Sequence, residues 1–120
     1  MAEAISTFGK SCVAALIGGS QIGSPVYGAI GTGSVTFTSA RSGLITESIR
    51  AAMTSVDLST SQEANYTFDY NSVQMSGLNL SEYGQFAISS GGQLWAGAGF
   101  TPISFNGTAE LEIQVVWKVI

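Results

Sequence analysis

The sequence predicts a mostly β protein. The expected architecture is an antiparallel β-sandwich or jelly-roll-like domain of about six or seven strands with one N-terminal helix. Three observations predict it. Residues 108–120 alternate Ala109, Leu111, Ile113, Val115, Trp117 and Val119 with Glu110, Glu112, Gln114 and Lys118, the period of a half-buried strand. Only Val116 and Ile120 break that pattern on the wet side. Turn residues recur at short intervals, as in Gly31-Thr32-Gly33, Ser89-Ser90-Gly91-Gly92 and Asn106-Gly107, so the strands between them are short and tightly joined. Finally, a helical stripe is confined to the first 18 residues.

In that first segment, residues 1–18, Ile5, Phe8, Cys12, Ala15 and Leu16 recur at three- and four-residue steps, and Gly9 interrupts the stripe. Gly18-Gly19 ends it. The segment reads as a helix capping one end of a β-core, or as an arm docking on a neighbouring subunit. Val13 and Ile17 fall off the main stripe. With Ile5, Phe8, Val116 and Ile120 they are the candidate interface residues. The β-core is expected over 26–120, in a single domain. Residues 26–30 read as a short buried strand. Residues 34–43 read as a surface excursion in which Val35 and Phe37 alternate briefly. Residues 44–58 form a second long strand with neither face cleanly apolar, so a bulge is expected near residues 50–52. Tyr66, Phe68 and Tyr70 give residues 64–70 an aromatic face. Residues 71–80 read as a loop with Val73, Met75 and Leu78 tucked back. Residues 82–88 and 93–100 flank residues 89–92 as a hairpin.

Composition excludes several function classes. Charged residues make up 10 % of the 120, and Lys10, Arg41, Arg50 and Lys118 are the entire basic complement, for a net charge of −4. That balance offers no electrostatic footprint for nucleic acid. Without histidine, the common general base and the commonest metal ligand are missing. Cys12 is alone, so no internal disulfide is expected, and its place on a helix stripe suits a small core residue better than a nucleophile. Glu110 and Glu112 share the wet face of a strand, too plain a setting for a catalytic carboxylate pair. The glycines of 28–33 do not follow the dinucleotide-binding order. No cofactor or metal is expected, and no enzymatic activity. Neither a secretory leader nor an apolar run long enough for a membrane span is seen, so synthesis in the cytoplasm and no membrane partner are expected.

Six segments in order carry a resemblance. They are Tyr27-Gly28-Ala29-Ile30-Gly31-Thr32-Gly33, Leu44-Ile45-Thr46-Glu47-Ser48-Ile49-Arg50, Leu80-Ser81-Glu82-Tyr83-Gly84-Gln85-Phe86, Gly91-Gly92-Gln93-Leu94, Phe100-Thr101-Pro102-Ile103 and the terminal strand with Trp117. The sequence resembles small structural proteins of tailed bacteriophage virions, of the tail-fibre or decoration type, with Tyr83 where the pattern has a small residue. The resemblance implies a non-enzymatic virion part that decorates the capsid or forms a fibre- or adaptor-like piece of the tail. With 12 charged residues in 120 and apolar residues on wet faces, a homo-oligomer is expected, and the resemblance favours a trimer among other virion proteins. The alternative is a glycan-binding β-sandwich used in host recognition, with Trp95 and Tyr83 as the stacking residues. Within the family-like segments, Arg50 is expected to pair with Glu82 or Glu47 between adjacent strands and to be at least partly buried, because a charge in apolar surroundings needs a partner.

Overall fold

The computed structural model describes residues 2–19, 23–33 and 37–119. It is an antiparallel sandwich. The strands are β1 (Ala2–Ile5), β2 (Tyr27–Gly31), β3 (Glu47–Ala52), β4 (Ser55–Asp57), β5 (Glu63–Tyr70), β6 (Asn79–Phe86), β7 (Ala96–Ser104) and β8 (Leu111–Lys118), with helices α1 (Thr7–Ile17) and α2 (Ser72–Met75). One sheet has the order β1-β7-β6-β2-β3 and the other β4-β5-β8.

The central strands of the larger sheet, β2 and β6, are buried on both faces. Ile30 of β2 and Leu80 of β6 join Tyr66, Phe68 and Tyr70 of β5 in the core between the sheets. Leu111, Ile113, Val115 and Trp117 of β8 pack against that core half-buried. On the opposite face of the larger sheet, Ala29 and Phe86 pack with Phe37, Leu44 and Leu94 from the connecting segments. Close approach on this second face depends on missing side chains. A Cβ on Gly84 would strike Leu94, and one on Gly97 would strike the Phe37 ring.

The structure moves several boundaries. Helix α1 begins at Thr7, where the Ser6 hydroxyl accepts from Gly9 N–H as an N-cap. Residues 2–5 are not helical; they add to β7 as an edge strand. Residues 44–58 hold two strands. β3 belongs to the larger sheet and β4 to the smaller, so the backbone passes from one sheet to the other at Met53–Thr54. The irregularity in β3 falls at Ser48, skipped between the pairs Ile30–Ile49 and Gly31–Glu47, two residues before the expected 50–52. Phe37 is a core residue (4 % exposed), not part of a surface excursion, whereas Val35 lies outside the described residues. The loop expected at 71–80 contains α2, held by a capping box between Asn71 and Gln74, and ends inside β6.

Gly9 does not break α1. The helix runs through it, and a Cβ there would collide with the Trp95 carbonyl. Gly9→Ala therefore sets two effects against each other. Helix propensity favours alanine by about 1 kcal/mol. Overpacking against backbone that cannot rotate away costs about 1–3 kcal/mol or more. The expected net loss is about 1–2 kcal/mol in urea unfolding. A gain in stability would show that α1 is not seated on Trp95.

Candidate functional site

Two polar clamps organise the family-like segments. The first is Glu82, on β6. Its side chain is fully buried, and its carboxylate accepts from Gly33 N–H (2.9 Å), Ile45 N–H (2.8 Å) and Thr46 N–H (2.8 Å). The neighbouring Ser81 hydroxyl donates to the Gly33 carbonyl. One carboxylate thus ties the turn after β2 to the segment before β3, where charge-assisted hydrogen bonds replace the water that a buried anion loses. Gly31 and Gly33 leave room for it, since a Cβ at either would meet the Glu82 carboxylate at 2.6 Å.

The second clamp is Arg50. Its guanidinium donates to both Glu47 oxygens (2.9 and 2.7 Å) and to the carbonyls of Ile88 (3.0 Å) and Gly91 (2.8 Å). It also lies 3.7 Å above the Phe86 ring, in the cation–π arrangement, and its side chain is 7 % exposed. The ion pair is therefore Arg50 with Glu47. Glu82 does not join it, because its oxygens already serve three backbone donors. Arg50→Ala removes the anchor of the 88–91 loop. Glu47, with a third of its side chain exposed, can rehydrate, so the expected loss is about 2 kcal/mol, below the figure for breaking a fully buried pair. Equilibrium unfolding checks this, and a loss above about 4 kcal/mol would mean that Glu47 is sealed from water.

Of the glycan-stacking pair, Trp95 is corrected. Trp95 is 2 % exposed, with its ring edge against Trp117 at 6.3 Å, so no sugar can reach its face. Tyr83 is half-buried and tilted against Phe100 at 6.5 Å. The catalytic-pair geometry also fails at its first step, since Glu110 precedes β8 and does not share a strand face with Glu112. The register sets Asp69 beside Glu112 instead. Among the described residues, no group of three or more potential ligands could hold a metal ion. Burial pushes the Cys12 thiol pKa up, which disfavours the thiolate. Burial, and secondarily the charge of Glu47, pushes the Tyr70 hydroxyl well above its usual range, so it stays a donor to the Gly28 carbonyl (2.6 Å).

What remains open is the β8 side of the sandwich. A cleft of about 340 Å³ is lined by Leu80, Tyr83, Phe100, Ile103, Ile113 and Gln114 among others. A second of about 560 Å³ lies against Ile5, Ala96, Val115, Val116 and Lys118 and shares Tyr83 and Gln114 with the first. β8 is the last strand of its sheet. Val119 N–H donates to Gln62 O (2.9 Å), which fixes the phase of the ladder. The odd-numbered residues of β8 aim their backbone groups at β5. Those of Glu112, Gln114, Val116 and Lys118 therefore aim at the free edge.

Of the candidate interface residues, Ile5 and Val116 line the second cleft together. Ile17 is 84 % exposed and Val116 50 %, while Ile5 and Phe8 lie near 40 % at 41 % and 38 %. Val13 is half-buried, and Ile120 lies outside the described residues. The alternating strand pattern pointed to β8 as a core strand but gave no sign of its free edge or of the clefts beside it. Comparison with protein-family models, with curated proteins and with solved structures finds no match to this protein. No described helix is long and apolar enough to cross a membrane.

Proposed function

We propose that the protein is a non-enzymatic structural component of a tailed-phage virion. It would decorate the capsid or form a fibre- or adaptor-like part of the tail, as a homo-oligomer with three copies favoured, seated among other virion proteins. The observation that carries this reading is the order of the six family-like segments. Their distinctive residues have structural work in this fold: Gly31, Gly33 and Glu82 build one clamp, and Glu47, Arg50, Phe86 and Gly91 the other. Such a pattern specifies a scaffold. None of these residues is left over for catalysis.

Surface chemistry supports assembly. Ile17, Ile45, Leu58, Val73, Ile88, Val116 and Val119 are exposed in a protein with 12 charged residues, 4 basic and 8 acidic. A regular eight-residue edge strand without proline or bulge is also an open template for another strand. A second copy is the occupant that symmetric assembly makes commonest. The test is quantitative mass spectrometry of purified particles together with light scattering of the isolated protein at micromolar concentration. Expected are a fixed copy number in particles, an oligomer in solution, and its dissociation by Val116→Lys with the fold retained. Absence from particles, with a monomer in solution, would overturn the reading.

A further inference from the structure

We infer that Asn106 is a built-in deamidation site, which converts with time to aspartate and isoaspartate at the entry to β8. The protein has four asparagines, and Asn106 is the one followed by glycine. The structure separates it from the others in the same direction. Asn65 and Asn79 lie in β5 and β6, where the backbone is extended and held in ladders. Asn71 is an N-cap whose side chain accepts from Gln74 N–H, and Gln74 in turn accepts from its backbone N–H. Asn106 is exposed, outside any strand or helix. Among the described residues, Gly107 N–H has no hydrogen-bond acceptor. Gly107 sits at φ +95°, and being glycine it has no Cβ to hinder approach to its nitrogen.

The chemistry follows from that placement. The Gly107 amide nitrogen loses its proton to solvent base and attacks Cγ of Asn106. The Cγ–Nδ2 bond breaks, ammonia leaves with a proton from water, and a five-membered succinimide forms. Water then opens either carbonyl of the ring, giving aspartate or isoaspartate. No oxidant or reductant is involved. The Asn106 Oδ1 accepts from Thr108 Oγ1–H (2.7 Å) and Thr108 N–H (3.2 Å), and these bonds draw electron density from the carbon under attack. They also show what is lost afterwards. Phe105 is anchored on one side, donating to Leu78 O (3.0 Å) and accepting from Gly77 N–H (2.8 Å), while β8 starts at Leu111. Isoaspartate inserts a methylene into the backbone between these fixed points.

The experiment is peptide mapping of the folded protein during incubation in mildly alkaline buffer, beside a sample held in denaturant. Expected is the mass gain of amide-to-acid conversion confined to the Asn106 peptide in the folded sample. Isoaspartate should exceed aspartate, and the purified isoaspartyl form should melt at a lower temperature. Asn106→Gln, whose longer side chain would have to close a less favoured ring, should lose the conversion at this peptide. Conversion in denaturant without any in the folded protein would overturn the inference. So would equal conversion at Asn65, Asn71 or Asn79. An isoaspartyl form that melts like fresh protein would overturn the part assigned to β8.

Discussion

Glu82→Ala is expected to cost about 3–5 kcal/mol in urea unfolding, among the largest losses available to a single substitution in this protein. The substitution strands three backbone donors at once. A buried donor left without a partner costs about 1–3 kcal/mol. Gly33 is buried and would suffer that penalty in full, whereas Ile45 and Thr46 lie in an exposed stretch and can recover water in part. The simple sum is therefore an upper limit. Glu82→Gln keeps the shape and one acceptor but turns an NH₂ group towards a backbone donor, so an intermediate loss of about 2 kcal/mol is expected. Hydrogen exchange should locate the damage, with faster exchange at Gly33, Ile45 and Thr46. A loss below about 1 kcal/mol for alanine would mean that the clamp is not closed in solution.

The difference between what the sequence revealed and what it hid follows the number of buried faces. β5 and β8 each bury one face, so Tyr66, Phe68 and Tyr70, like Ile113, Val115 and Trp117, announce themselves by alternation. β2 and β6 are buried on both faces, so period two carries no signal there; they read as strands only as short apolar runs between turns, and Gly31 reads as a turn although it lies in β2 and leaves room for Glu82. Glu82 looked like a partner for Arg50 because both are charges in an apolar context. Nothing local could show that backbone N–H groups, from 36 to 49 residues away, would satisfy it instead. The sheet change at Met53–Thr54 was equally silent. β3 and β4 are separated by two residues without glycine or proline, and only the pairing partners distinguish them. The charge-poor surface was readable from composition, but the clefts beside β8 arise from one sheet having five strands and the other three.

Trp95→Ala is expected to destabilise by about 3–5 kcal/mol, the range for truncating a large aromatic in a packed interior. Trp95 joins three parts of the molecule. Its N–H donates to Gln85 O (2.9 Å), its carbonyl accepts from Ser6 N–H (2.9 Å) at the start of α1, and its ring meets Trp117 edge-on at an interplanar angle of 83°. The backbone bonds survive truncation, so the loss comes from the ring: apolar area returned to water and a cavity that α1 and β8 cannot both close. Trp117→Ala is the discriminating comparison. That ring is half-exposed, so less area is lost, but its Nε1–H donates to Gln85 Oε1 (2.7 Å), and Gln85 is only 1 % exposed. Removing it leaves a buried acceptor unpaired, for an expected total of about 2–3 kcal/mol. The order Trp95 above Trp117 reverses what alternation in the terminal strand suggests, because β8 lies at a sheet edge whereas Trp95 lies under a helix. A larger loss at Trp117 would place β8, rather than the Trp95 junction, at the centre of the fold.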